Sequence, residues 1–117
     1  MKTHKDLDVW KKSIEFVTGL YEITAKFPSH ELYGIVSQIR RASVSVPANI
    51  SEGAARNHPK EFIQFIGISL GSASELDALI LISKNLKYIS AETFEKLNSE
   101  LERIIKMLIN LRRSLSK

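Results

Sequence analysis

Apolar residues recur along the chain at steps of three and four in stretches separated by short breaks, which predicts four amphipathic helices. The first stripe is Leu7, Trp10, Ile14, Val17, Tyr21 and Thr24, and it should stop at Phe27 because Pro28 disfavours helical backbone in the residue before it. Ser29 can cap the second helix, with Glu31 in its first turn and Leu32, Val36, Ile39, Ser43, Val46 and Ile50 as its inner stripe. Pro47 removes one backbone hydrogen bond inside that helix, so a kink rather than a break is expected. The run Glu52-Gly53-Ala54-Ala55-Arg56-Asn57-His58-Pro59 combines a flexible Gly, a capping Asn and a Pro suited to a first helical position, and reads as a turn. A third helix follows, and Ser90 can cap a fourth with the stripe Phe94, Leu97, Leu101, Ile104, Leu108, Leu111 and Leu115. The predicted helices span about 6–27, 30–55, 59–88 and 91–115, in one domain over residues 1–117. Connections this short force neighbouring helices to be antiparallel, so the expected fold is all-α, an up-down-up-down four-helix bundle.

If the second turn is centred between Asn57 and His58, facing residues on helices two and three have numbers summing to about 115. That rule sets Ala48 opposite Gly67, Val44 opposite Gly71, Gln38 opposite Asp77 and Arg40 opposite Glu75. Gly67, Gly71, Ser74 and Ala78 share one face of helix three and are expected to form a small-residue seam against helix two. Arg40 or Arg41 is expected to pair with Glu75, because an isolated charge buried near mid-helix is costly. Helix three is apolar around most of its circumference, and a single bundle covers only an inner stripe. The surplus predicts a homo-oligomer, with Phe62, Phe65, Ile66 and Ile68 as candidate interface residues.

Composition narrows the chemistry. With 44% apolar and 26% charged residues the chain is that of a folded protein, and without cysteine it has neither disulfides nor thiolate metal ligands, consistent with a cytoplasmic location. The N-terminus lacks an apolar signal core and the longest apolar run, Ala78 to Ile82, is far short of a span, so no membrane partner is expected. No Glu-x-x-His motif is present, and His4, His30 and His58 fall at the N-terminus or in turns. There is no Gly-rich phosphate loop, and Glu52, Glu75 and Asp77 read as partners of Arg40 and Arg41 rather than as a catalytic pair. The expectation is therefore no catalytic, metal or cofactor-binding residue, and no enzymatic activity.

The net charge of +4 is unevenly spread. The predicted topology brings residues 1–12, 52–61 and 106–117 to one end, where ten Lys or Arg, Lys2 among them, face four Asp or Glu, giving +6 and leaving −2 elsewhere. Arg56, Lys60, Lys106, Arg112 and Arg113 are the candidate phosphate contacts for RNA or DNA. Cations in the last turn of helix four equally complement its dipole and keep that end soluble.

Several segments carry a resemblance: Phe27-Pro28-Ser29-His30-Glu31-Leu32-Tyr33-Gly34, Gln38-Ile39-Arg40-Arg41-Ala42, Pro47-Ala48-Asn49-Ile50-Ser51-Glu52-Gly53 and Gly71-Ser72-Ala73-Ser74-Glu75. From about Leu7 to Leu115 the chain resembles the 23S ribosomal RNA intervening-sequence proteins, bacterial four-helix bundles related to the accessory proteins of diversity-generating retroelements. The resemblance implies a cytoplasmic homopentamer, and in the retroelement relatives binding of nucleic acid and a reverse transcriptase. The matched residues Gln38, Arg40, Arg41, Asn49, Glu52 and Glu75 are expected to form a structural polar network between helices two and three. The leading expectation is a non-catalytic homo-oligomer that binds structured RNA or other nucleic acid through its basic end; the alternative is a scaffold that binds another protein.

Overall fold

The computed structural model describes residues 3–117, so Lys2 lies outside the described residues. The fold is all-α, with no strand among the described residues and helices α1 at Asp8–Thr24, α2 at Ile35–Ala55, α3 at Pro59–Asn85 and α4 at Ala91–Leu115. A 3-10 turn at His4–Asp6 precedes α1, and another at Ser29–Glu31 precedes α2. The molecule measures 44 × 24 × 20 Å, a long axis set by the length of α3 at about 1.5 Å per residue.

Local chemistry sets the helix ends. Ser90 caps α4 as expected, its Oγ accepting from the Thr93 N–H at 3.0 Å. Ser29 does not cap α2. It opens the 3-10 turn instead, Leu32 stays exposed, and α2 begins only after Gly34, five residues later than the predicted boundary near 30. A Cβ on Gly34 would come within 2.6 Å of Glu31 Oε1, so any larger residue there would make the end of the Glu31 side chain shift. Asn57 between α2 and α3, and Lys87 after α3, take positive φ of 58° and 65°. Asn tolerates that conformation, while Lys87 is held in it by its N–H to the Lys84 carbonyl at 2.9 Å. The helix through Pro47 is continuous, and the proline itself is buried.

The inner stripes of α2 and α4 are those the spacing predicts, with Val36, Ile39, Ser43, Val46 and Ile50 buried on one and Leu97, Leu101, Ile104 and Leu108 on the other. In α1 the buried set is Val9, Ser13, Phe16, Leu20 and Thr24, displaced from the predicted stripe, while Ile14 and Tyr21 are exposed. Two apolar stripes compete there, and the one that buries Phe16 and Leu20 wins; Tyr21 keeps its hydroxyl outside the core. The five buried polar side chains, Ser13, Thr24, Ser43, Ser69 and Ser83, are all hydroxyls bonded to backbone carbonyls.

Four of those hydroxyls bond within their own helix; Ser69 crosses, its Oγ donating to the Val46 carbonyl of α2 at 2.9 Å. Ser72 Oγ lies 2.8 Å from Ser45 Oγ, and Gly53 packs against Phe62 and Phe65. The Val46–Ser69 pair obeys the predicted sum of 115. The expected seam does not form: Gly67 and Gly71 have no neighbour within 4 Å of a Cβ position, and with Ser74 and Ala78 they face outward. The glycine of close approach is Gly53, where a Cβ would meet Phe65 Cβ at 2.7 Å and Phe62 Cδ1 at 2.9 Å. Gly53→Ala should therefore lower the unfolding free energy by about 1–2 kcal/mol, overpacking outweighing the gain in helix propensity. Gly67→Ala should raise it by about 0.5–1 kcal/mol, both measured by urea denaturation at matched protein concentration.

Candidate nucleic-acid interface

Three contacts gather the basic segments at one end. Trp10 Nε1 donates to Ser51 Oγ at 2.8 Å, and the His4 ring stands edge-on to Trp10 at 5.1 Å, tying the start of the chain to the end of α2. His58, Pro59, Lys60 and Ile63 from the start of α3 share an open cleft of about 480 Å³ with Leu115, Ser116 and Lys117 from the end of α4. The other end is pinned by Tyr88, whose OH donates to Glu31 Oε2 at 2.7 Å and whose ring lies 5.2 Å from Phe27. The hydrogen bond to the Glu31 carboxylate, with burial and its charge adding, holds the Tyr88 phenol above its usual value of 10.0.

At the basic end Arg56 is engaged twice within the chain. Its Nη2 is 3.4 Å from Glu52 Oε1, and its guanidinium sits 5.1 Å from the centre of the Phe65 ring. That is the one ion pair among the described residues, so Lys60, Lys106, Arg112 and Arg113, all exposed, have no carboxylate partner. Arg113 Nη1 makes only a 3.5 Å contact with Asn110 Oδ1. Arg103, Lys106, Asn110 and Arg113 recur at steps of three and four on the outward face of α4. Arg103 was not among the sequence candidates, although this spacing marks it. Cations left without counter-charges on one face and one end can neutralise a run of phosphates.

The expected polar network between helices two and three does not form; its members stand in separate environments. Arg40 turns to α1, its Nε donating to Thr24 Oγ1 at 3.1 Å, its Nη2 to the Tyr21 carbonyl at 3.3 Å, and its guanidinium 4.5 Å over the Tyr21 ring. The predicted ion pair with Glu75 is absent, because Arg40 is occupied by α1 while Arg41 and Glu75 are exposed. Asn49 Nδ2 donates to the Ser45 carbonyl at 2.8 Å and to Ser45 Oγ at 2.9 Å, beside Ser72. Gln38, Arg41 and Glu52 line the same outward side of α2, and all three are exposed.

Two of the candidate interface residues are corrected: Phe62 and Ile66 are 6% and 0% exposed and belong to the chain's own core, since they sit on the side of α3 that meets α2. Phe65 is half-buried beneath Arg56, and Ile68 is exposed together with Leu81 and Ile82. Over one 18-residue window α3 reaches a mean hydropathy of 1.6 with 33% of that window buried, so by length and composition it could cross a membrane. The five-residue run noted in the sequence understates this, because the apolar positions lie on both the inward and outward sides of the helix. Among the described residues no three His, Cys, Asp or Glu side chains are grouped to hold a metal ion.

Four helices around one core, with unpaired cations at one end, define a small all-α protein. Within that class the chain belongs to the 23S rRNA-intervening sequence protein family, whose model matches residues 5–110. It is similar to a crystal structure of a protein of unknown function from the S23 ribosomal protein family of Bacteroides thetaiotaomicron, at 26% identity and a TM-score of 0.82. That match covers 90% of this chain and 95% of the other. No curated protein matches the chain.

The two adjacent arginines should separate cleanly in stability. Arg40→Ala removes charged hydrogen bonds to α1 and should cost about 1–2 kcal/mol in urea denaturation. Arg41→Ala, exposed and unpaired, should stay within about 0.5 kcal/mol of the parent chain.

Proposed function

We propose that the chain is a non-catalytic, cytoplasmic protein whose up-down-up-down bundles associate as a homo-oligomer and bind structured RNA or other nucleic acid through the basic end. The observation that carries this reading is the set of cations at that end, Lys60, Lys106, Arg112 and Arg113, exposed and without carboxylate partners. Such a cluster binds phosphates by counterion release and reads no sequence by itself. Arg56 contributes less, being held by Glu52 and Phe65. Membership of the 23S rRNA-intervening sequence protein family supports an RNA context. Self-association is supported by the exposed Ile68, Leu81 and Ile82 on α3. The resemblance of the sequence to ring-forming bundles implies five subunits.

The test is binding of a structured RNA across a salt series. Reversing Arg112 and Arg113 to Glu should weaken binding at least tenfold at moderate salt. It should also flatten the slope of log K against log salt by about 1.4–1.8, since each lost phosphate contact removes about 0.7–0.9. An unchanged slope sinks the basic-end reading. Purified protein that is oligomeric and free of nucleic acid before any nuclease treatment would instead favour the protein-scaffold reading.

A further inference from the structure

The cleft at the basic end combines two kinds of lining. Its apolar part is Pro59 with the half-buried Ile63 and Leu115, inside a volume of about 480 Å³ between the start of α3 and the end of α4. Around it stand His58, Lys60, Ser116 and Lys117, all exposed, and no Asp or Glu is among the lining residues. The His58 side chain makes no capping bond at the start of α3. Neither it nor the two lysines has a carboxylate partner among the described residues. The groove of about 540 Å³ between α1 and α4 differs in charge: Glu15 and Glu100 line it beside Lys12, Lys96 and Arg103, so a phosphate entering it meets carboxylates.

Phosphate contacts alone have no use for an apolar lining. A paired duplex lays its backbone on cations and water and keeps its bases stacked inside, whereas a base released from the stack exposes a flat apolar face that gains by leaving water. RNA is read in this way at loops, bulges and ends, where an unstacked base lies against aromatic or apolar side chains. The cleft offers such a surface next to cations, and its volume is that of a small-molecule site, roughly 300–1,000 Å³. It is also continuous with the cations of α4, because Ser116 on its rim bonds through both its N–H and its Oγ to the Arg112 carbonyl.

We infer that this cleft receives one unpaired nucleobase of the bound nucleic acid, the ring laid against Pro59, Ile63 and Leu115 and the flanking phosphates on Lys60 and Lys117. The inference rests on the nucleic-acid binding proposed above and narrows its ligand to a strand that offers a base outside a duplex, at a bulge, a loop or a frayed end. It adds a preference that phosphate contacts lack, since a fully paired duplex leaves the cleft unused.

The test uses one RNA duplex with a single bulged position that carries each of the four bases in turn, or an abasic residue with the same phosphates. Fluorescence anisotropy across a salt series gives the affinities. The parent chain should bind the duplex with its preferred bulged base at least about fivefold more tightly than the abasic one. Ile63→Gln and, separately, Leu115→Gln add no charge, so they test the base and not the phosphates; each should bring that ratio to within about twofold. Circular dichroism establishes that each variant folds, and Leu115, the last residue of α4, serves alone if the Ile63 variant does not. A parent chain that binds none of these duplexes in a salt-dependent way overturns the nucleic-acid reading and this inference together. A parent chain that binds the abasic duplex as tightly as all four others, or folded variants that keep the parent ratio, overturn only the base in the cleft and leave that lining to an apolar side chain of a protein partner.

Discussion

The structure depends on how closely α2 and α3 approach. A hydroxyl on one helix reaches a backbone carbonyl on the other only when small residues stand at the crossing points, and here Ser69, the fully buried Ala73 and Gly53 supply them. That approach fixes the register, so Phe62, Ile66, Leu76 and Ile80 turn inward and the opposite side of α3 is left outside. Hydrophobicity alone cannot set this rotation, because α3 is apolar on every side. The decision falls to residues small enough, or polar in the right place, to lie against α2, and α3 carries two such stripes.

The same distinction explains what the sequence did and did not disclose. Stripes on α2 and α4 were legible because each has one apolar face and a polar remainder. In α1, Ile14 and Tyr21 compete with Phe16 and Leu20 at the same spacing, and only packing against the other helices chooses between them. On α3 the glycines drew the expected seam toward Gly67 and Gly71, whereas close approach is needed where Phe62 and Phe65 bulge, and Gly53 of α2 is the residue there. The charge at the basic end was legible once the topology was. The division of labour between Arg40 and Arg41 was not: neighbours on a helix point about 100° apart, so one reaches α1 and the other faces outward.

Buried hydroxyls replace buried charges throughout the interior. Five hydroxyl side chains lie inside, each bonded to a carbonyl, and no buried side-chain nitrogen or oxygen among the described residues lacks a partner. Serine fits this role because it costs little volume and satisfies a backbone group locally. Near Pro47, Ser51 both donates to the Pro47 carbonyl and accepts from Trp10, joining the proline-bearing turn of α2 to the start of α1. With no ion pair needed in the core, the charged residues are left to the surface, which is where Arg41, Glu52 and Glu75 stand, with Gln38 beside them.

Separation of surfaces then has a consequence for any assembly. The unpaired cations occupy one end and the outward face of α4, whereas the exposed apolar residues of α3 run along the flank. An assembly formed through the flanks leaves the ends free, and copies arranged side by side present their cations together. In such an assembly phosphate contacts would add across copies, so affinity for a long polyanion would rise with the number of subunits even when each contributed few contacts. Arg103 stands apart from that end, nearer the middle of α4, where it lines a groove with Lys12 and Phe16 of α1. Lys60, Lys106, Arg112 and Arg113, toward that end, are the cations an assembly through the flanks would leave for the polyanion.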